Sequence, residues 1–127
     1  MADHACFVFF PSSRADLDAA AKALTEHGLL VKRAAADELE AGFPGKPFLR
    51  VAFATEDSVR EEAAEIAAET PHAAAMSECD VRFEILIDDL DQVLDEINTL
   101  IDVQSALQEL THGFLYRTWT GELSGPD

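Results

Sequence analysis

Residues 80–87 read DVRFEILI, and their alternation puts Val81, Phe83, Ile85 and Ile87 on one side of an extended chain and Arg82, Glu84 and Leu86 on the other. A helix would scatter those four apolar side chains around its circumference, whereas a strand lines them up. The pattern predicts a β-strand with one apolar face, in an antiparallel sheet with one covered side. The rest of the chain must supply the cover.

The run ACFVFF (5–10) reads as a buried strand that stops at Pro11. Ser13 is then expected to cap a helix that places Leu17, Ala20, Ala21 and Leu24 on one face and stops at Gly28. LLVKR (29–33) fits a second strand, and 35–47 reads as a polar connection broken by Gly42, Pro44, Gly45 and Pro47. FLRVAFA (48–54) is the third strand. Thr55 is placed to cap a helix with Glu56 and Asp57 in its first turn, Val59, Ala63, Ile66 and Ala67 on its apolar face, and Thr70-Pro71 at its end. Residues 80–87 form the fourth strand.

After it, Asp88 or Asp89 can cap a helix with Gln92 at its third position. Leu90, Val93, Leu94, Ile97, Ile101, Leu107 and Leu110 predict one helix of about six turns, stopping near Gly113. FLYRTW (114–119) is a last strand candidate, and residues 120–127 read as a loose tail. The order β-α-β-β-α-β, followed by α-β, predicts an α+β fold: a ferredoxin-like split βαβ sandwich with an added C-terminal helix and strand. In that arrangement the first and fourth strands neighbour each other antiparallel. Cys6 and Cys79, each near its own strand's start, should then lie at opposite ends.

A chain of 127 residues fits a single domain, residues 1–127. Apolar residues at 48% can build a core, so the formal charge of −16 belongs to a folded protein rather than to an acidic disordered segment. The charge is unevenly spread. Residues 1–60 carry nine acids and seven bases, but residues 61–127 carry sixteen acids against only Arg82 and Arg117, a net of −14. Such a field repels nucleic acid and anionic membranes and attracts basic partners. No signal-peptide pattern or long apolar run is visible, and two isolated cysteines do not make a secreted disulfide scaffold. A cytoplasmic protein with two buried thiols is expected.

Residues 7–84, including SSRADLDAAAKALTEHGLLVKRAAADELE and CDVRFE, resemble the regulator of ribonuclease activity B family. The family's spaced D-L, A and G before the second strand are matched by Asp16, Leu17, Ala21 and Gly28. The resemblance implies an acidic ferredoxin-like protein that binds and inhibits a large endoribonuclease. Family members tend to carry Asp-Gly-Trp after the sandwich's last strand, where this chain has Ile85-Leu86-Ile87. No site residue is carried over.

Catalytic patterns are missing. The four histidines stand singly, no serine lies in a nucleophile elbow, no Gly-rich phosphate loop follows a strand, and neither cysteine has an adjacent base. Asp88, Asp89 and Asp91 could gather Mg²⁺ at a strand-to-helix junction, but capping and the helix dipole also account for them. An EF-hand starting at Asp88 fails because Val93 and Thr99 occupy its required Gly and Glu positions. No metal, cofactor or catalytic residue is assigned, and a non-enzymatic protein is expected.

The sharper feature is the acidic helix. Asp91, Asp95, Asn98, Asp102, Ser105 and Glu109 recur at steps of 4, 3, 4, 3 and 4 along one side, without a Lys or Arg among them. A solvated helix face accounts for the stripe in structural terms. In functional terms it presents carboxylates to a basic protein, as a nuclease inhibitor or immunity protein would. The expected binding set is Asp91, Asp95, Asp102 and Glu109, joined by Tyr116 and Trp119 as aromatic anchors. Core packing or a homodimer contact is the alternative role for the two aromatics. Two other functions stay open: a small-ligand or sensory ferredoxin-like dimer with its ligand at the sheet junction, and a Mg-dependent enzyme using Asp88, Asp89 and Asp91.

Overall fold

A computed structural model describes residues 4–125. Seven strands, β1 (His4–Phe10), β2 (Leu30–Ala35), β3 (Glu38–Gly42), β4 (Leu49–Ala54), β5 (Val81–Ile87), β6 (Phe114–Arg117) and β7 (Glu122–Ser124), form one sheet in the order β2-β3-β4-β5-β1-β6-β7. Every neighbouring pair is antiparallel. Five helices complete the α+β fold: α1 (Leu17–Glu26), α2 (Asp57–Ala67), α3 (Ala73–Met76), α4 (Leu90–Asp95) and α5 (Ile97–Thr111).

The expected pairing of the 5–10 and 80–87 strands is present, with Cys6 opposite Ile85 and Phe10 opposite Val81. The ferredoxin-like arrangement is not. In that sandwich a single strand separates the two strands joined by each helix. Here three strands separate β1 from β2, and none separates β4 from β5. Two strands beyond the expected number account for part of the difference. β3 lies within the segment read as a connection, where Glu38-Leu39-Glu40-Ala41 alternates in a short stretch of weak strand formers. β7 comes from the segment read as a tail and pairs with β6 after a turn at residues 118–121. The last two residues of the chain lie outside the described part.

Alternation along β1 divides the core between the two faces of the sheet. Cys6, Val8 and Phe10 join Val81, Phe83, Ile85 and Ile87 on one face, where Leu17, Leu24, Leu100, Val103 and Leu107 of α1 and α5 cover them. Phe9 points the other way, into a smaller cluster with Ala54, Val59, Ala63, Met76 and Phe114 under α2 and α3. The sheet is therefore covered on both sides, although one covered side was expected. Arg82, expected on an open face, is only 9% exposed. Its guanidinium lies 3.9 Å from the Phe7 ring centroid and pairs with Glu84 at 2.6 Å and with Glu62 of α2. The long stem and planar head let a charged residue serve as part of the apolar layer.

The helix boundaries follow local chemistry. Asp16, rather than Ser13, caps α1 by accepting from the Ala19 amide at 2.9 Å. Gly28, at φ +89°, ends the helix as the amides of Gly28 and Leu29 return to the carbonyls of Thr25 and Leu24. The cap position of α2 is Glu56 rather than Thr55, and its side chain makes no capping bond. Gly113 joins α5 to β6 where a Cβ would come within 2.5 Å of the Phe9 carbonyl oxygen, so any larger residue would push β6 away from β1.

The cysteines are free and buried, one on each side of the sheet. Cys6 lies within β1 and accepts from the Gln104 Nε2 at 3.0 Å, while Cys79 precedes β5 at the opposite end of that strand pair. Burial pushes each thiol up from 9.0 to about 11. For Cys6 the Gln104 bond and the charge of Arg117 offset part of that rise, and for Cys79 the charge of Arg14 does so.

Candidate interaction surface

The acidic segment is not one helix. Asp89 caps α4, its side chain accepting from the Gln92 amide at 3.1 Å, but the backbone leaves helical geometry at Glu96 with φ −111° and ψ 48°. α5 then begins at Ile97. Like-charge crowding from Asp91, Asp95 and Glu96 weakens a continuous helix here, and Lys46 of the β3–β4 loop holds the Glu96 carboxylate at 3.3 Å beside the break.

The break changes which side chains are buried. The buried face of α5 contains Leu100, Val103, Gln104, Ala106 and Leu107. Leu94, Ile97 and Ile101, expected on the apolar face, are instead 43%, 37% and 48% exposed. Large apolar side chains do reach the surface singly, but three of the four reported as exposed among the described residues sit on this short stretch. Ile97 and Ile101 are one helical turn apart; Asn98 next to Ile97 is exposed, and Asp102 and Ser105 are half-buried. The outer surface of α4 and α5 therefore carries exposed apolar side chains as well as the expected stripe of Asp91, Asp95, Asn98, Asp102, Ser105 and Glu109.

Several of the acids have side-chain partners. Asp88 pairs with Arg50 at 2.8 Å, Glu96 with Lys46, and Glu109 with His27 at 2.9 Å. Glu109 therefore differs from the rest of its expected set. Among the described residues, Asp91, Asp95 and Asp102 have no ion-pair partner. These three share α4 and α5 with the exposed Leu94, Ile97 and Ile101.

The two aromatics separate. Tyr116 stacks on Phe7 with centroids 6.3 Å apart and belongs to the cluster under α2 and α3. Trp119 packs at the margin of the α1/α5 core and meets His4 edge-on at 6.3 Å. His4 in turn borders a shallow depression of about 400 Å³ with Asp88, Asp89, Leu90 and Asp91. Trp119 therefore adjoins the start of α4, whereas Tyr116 faces the opposite side of the sheet. Alternation along the strand expected at 114–119 already puts positions 116 and 119 on opposite faces, and the turn after Arg117 leaves that separation in place.

Asp88 is turned to Arg50 and Asp89 to its own helix, and among the described residues no group of three or more His, Cys, Asp or Glu side chains is arranged to hold a metal ion. A second concave feature, a cleft of about 630 Å³, opens between the starts of α1 and α2, lined by residues including Ser12, Asp16, Phe53, Arg60 and Asp80. Burial alone would raise the Asp80 carboxyl. The Ser12 amide and hydroxyl, its own amide and the Arg60 charge hold it below the usual carboxylate range. Neither Tyr116 nor Trp119 lines this cleft.

Comparison with protein-family models, with curated proteins and with solved structures finds no match for the chain. Function is therefore argued from its own residues. No helix among the described residues is long and apolar enough to cross a membrane.

Proposed function

We propose that the protein is a non-enzymatic regulator that binds a basic protein through the α4–α5 surface, in the manner of a nuclease inhibitor or immunity factor. The observation that carries this reading is that Asp91, Asp95 and Asp102 have no ion-pair partner among the described residues and share α4 and α5 with exposed apolar side chains, in the half of the chain with a net charge of −14. Unpaired surface acids speed encounter with a cationic partner, and apolar contact then slows its release. The resemblance of residues 7–84 to the regulator of ribonuclease activity B family points toward a nuclease as the partner. Burial pushes both thiols up to about 11, which disfavours either cysteine as a nucleophile.

The test is affinity capture at low and high salt with the natural chain and with an Asp91→Asn/Asp95→Asn/Asp102→Asn variant. The natural chain should retain basic protein at low salt and release it at high salt, and the variant should lose most of that retention. Equal retention by a folded variant would remove α4–α5 as the site. A second reading, small-ligand binding, is favoured by the 630 Å³ cleft with Phe53 in its wall. A ligand screen by thermal shift tests it, and a hit lost in Phe53→Ala would move the site there.

A further inference from the structure

Resting on the reading of α4–α5 as a partner-binding surface, we infer that its occupant is a cationic amphipathic helix whose apolar side chains seat on Leu94, Ile97 and Ile101 while its Lys or Arg residues reach Asp91, Asp95 and Asp102. Ile97 and Ile101 lie one turn apart on α5, and Leu94 precedes them on α4 across the break at Glu96. Apolar side chains one turn apart complement the i, i+4 anchors of a helix laid along α5. Asp91 and Asp95 flank Leu94 in the sequence of α4 and Asp102 follows Ile101 on α5, and none of the three has a cation of its own among the described residues, so a partner's flanking charges would have places to go.

Charge decides among other occupants. A second copy docked by the same face would set Asp91, Asp95 and Asp102 against their own duplicates without an intervening cation, a like-charge juxtaposition that disfavours association. Nucleic acid and anionic lipid are repelled for the same reason. An unstructured polycation would satisfy the acids but leave the apolar side chains in water. Only a helix with both features uses both.

Two synthetic peptides of about 18 residues, about five helical turns, separate these cases. They share one Leu/Lys composition. In the first the leucines form an i, i+3, i+4 face; in the second they are scattered. Binding is measured by fluorescence anisotropy over a salt series, with circular dichroism on each protein variant. The first peptide should bind at least about tenfold more tightly than the second, and Ile97→Ser/Ile101→Ser should remove most of that advantage. The triple Asn variant should slow association and flatten its salt dependence. If both peptides bind equally, or the Ser variant binds the first peptide unchanged, the exposed apolar side chains have no role and this inference fails, while the acidic-surface reading stands as long as the Asn variant binds less. If the folded Asn variant also binds unchanged, both fail. Self-association that disappears in the Ser variant would assign those side chains to a second copy and overturn the inference.

Discussion

The two faces of the sheet solve the same packing problem with different chemistry. Under α1 and α5 the contact is almost wholly apolar, with Phe10, Phe53 and Phe83 packed at centroid separations of 4.9 to 6.2 Å. Under α2 and α3 the apolar cluster is smaller, and a nearly buried guanidinium held by two carboxylates and the Phe7 ring extends it. The first face gains stability from area. The second also depends on every charge keeping its partner, because an orphaned buried charge costs more than the pair contributes.

The largest effect should break the apolar side. Phe83→Ala is expected to cost about 3–5 kcal/mol in urea unfolding, through lost transfer energy and the cavity left among Phe10, Phe53 and Ile85. On the other face Arg82→Ala should cost about 2–3 kcal/mol, less than a fully buried pair because Glu62 and Glu84 keep some access to water. Adding Glu84→Gln to Arg82→Met should recover part of that loss. No recovery would mean that packing on Phe7, rather than charge, is what Arg82 supplies.

The thiols compare the faces under a common perturbation. Each has a folded value of about 11 against 9.0 for an ordinary thiol, so the folded state binds the proton more tightly. Stability from these groups is intact below about pH 9 and falls as pH rises toward 11, by up to about 2 kcal/mol for each thiol. Unfolding measured across that window should show the decline, and Cys6→Ala or Cys79→Ala should make it shallower. A flat profile would show that neither thiol stays protonated in the folded state. The smallest effect belongs to the outer surface. Changing Asp91, Asp95 and Asp102 together to Asn should alter stability by no more than about 0.5 kcal/mol, in the stabilising direction, because Asp91 and Asp95 form a like-charge pair within α4. A larger loss would give the stripe a structural role.

Much of the apolar face was legible in the sequence. DVRFEILI became β5 with the expected face inward, ACFVFF became β1, and Gly28 ended α1 where the pattern placed the stop. Strand order was less legible, since local periodicity places side chains on faces but does not choose neighbours. β3 was missed although Glu38-Leu39-Glu40-Ala41 alternates, because breakers on its C-terminal side suggested a loop. Burial of Arg82 depends on the distant Phe7 and Glu62, which no spacing rule brings together. On the candidate surface the unpaired Asp91, Asp95 and Asp102 were identified from spacing. The exposed Leu94, Ile97 and Ile101 were assigned to the core because the apolar rhythm crosses the break at Glu96 without interruption. A six-turn helix with a like-charge Asp91–Asp95 pair and Glu96 next to it carried a warning of that break.

β1 lies inside the sheet, between β5 and β6, although both partners follow it by many residues: Phe10 waits for Val81, and Cys6 for Arg117. During synthesis, ACFVFF therefore leaves the ribosome long before either flank exists. Pairings of such range slow folding through the entropy of closing large loops. In the interval, an apolar strand with two unpaired edges is open to wrong partners. Placing β1 inside the sheet ties the chain's escape from aggregation to the arrival of residues 81–117.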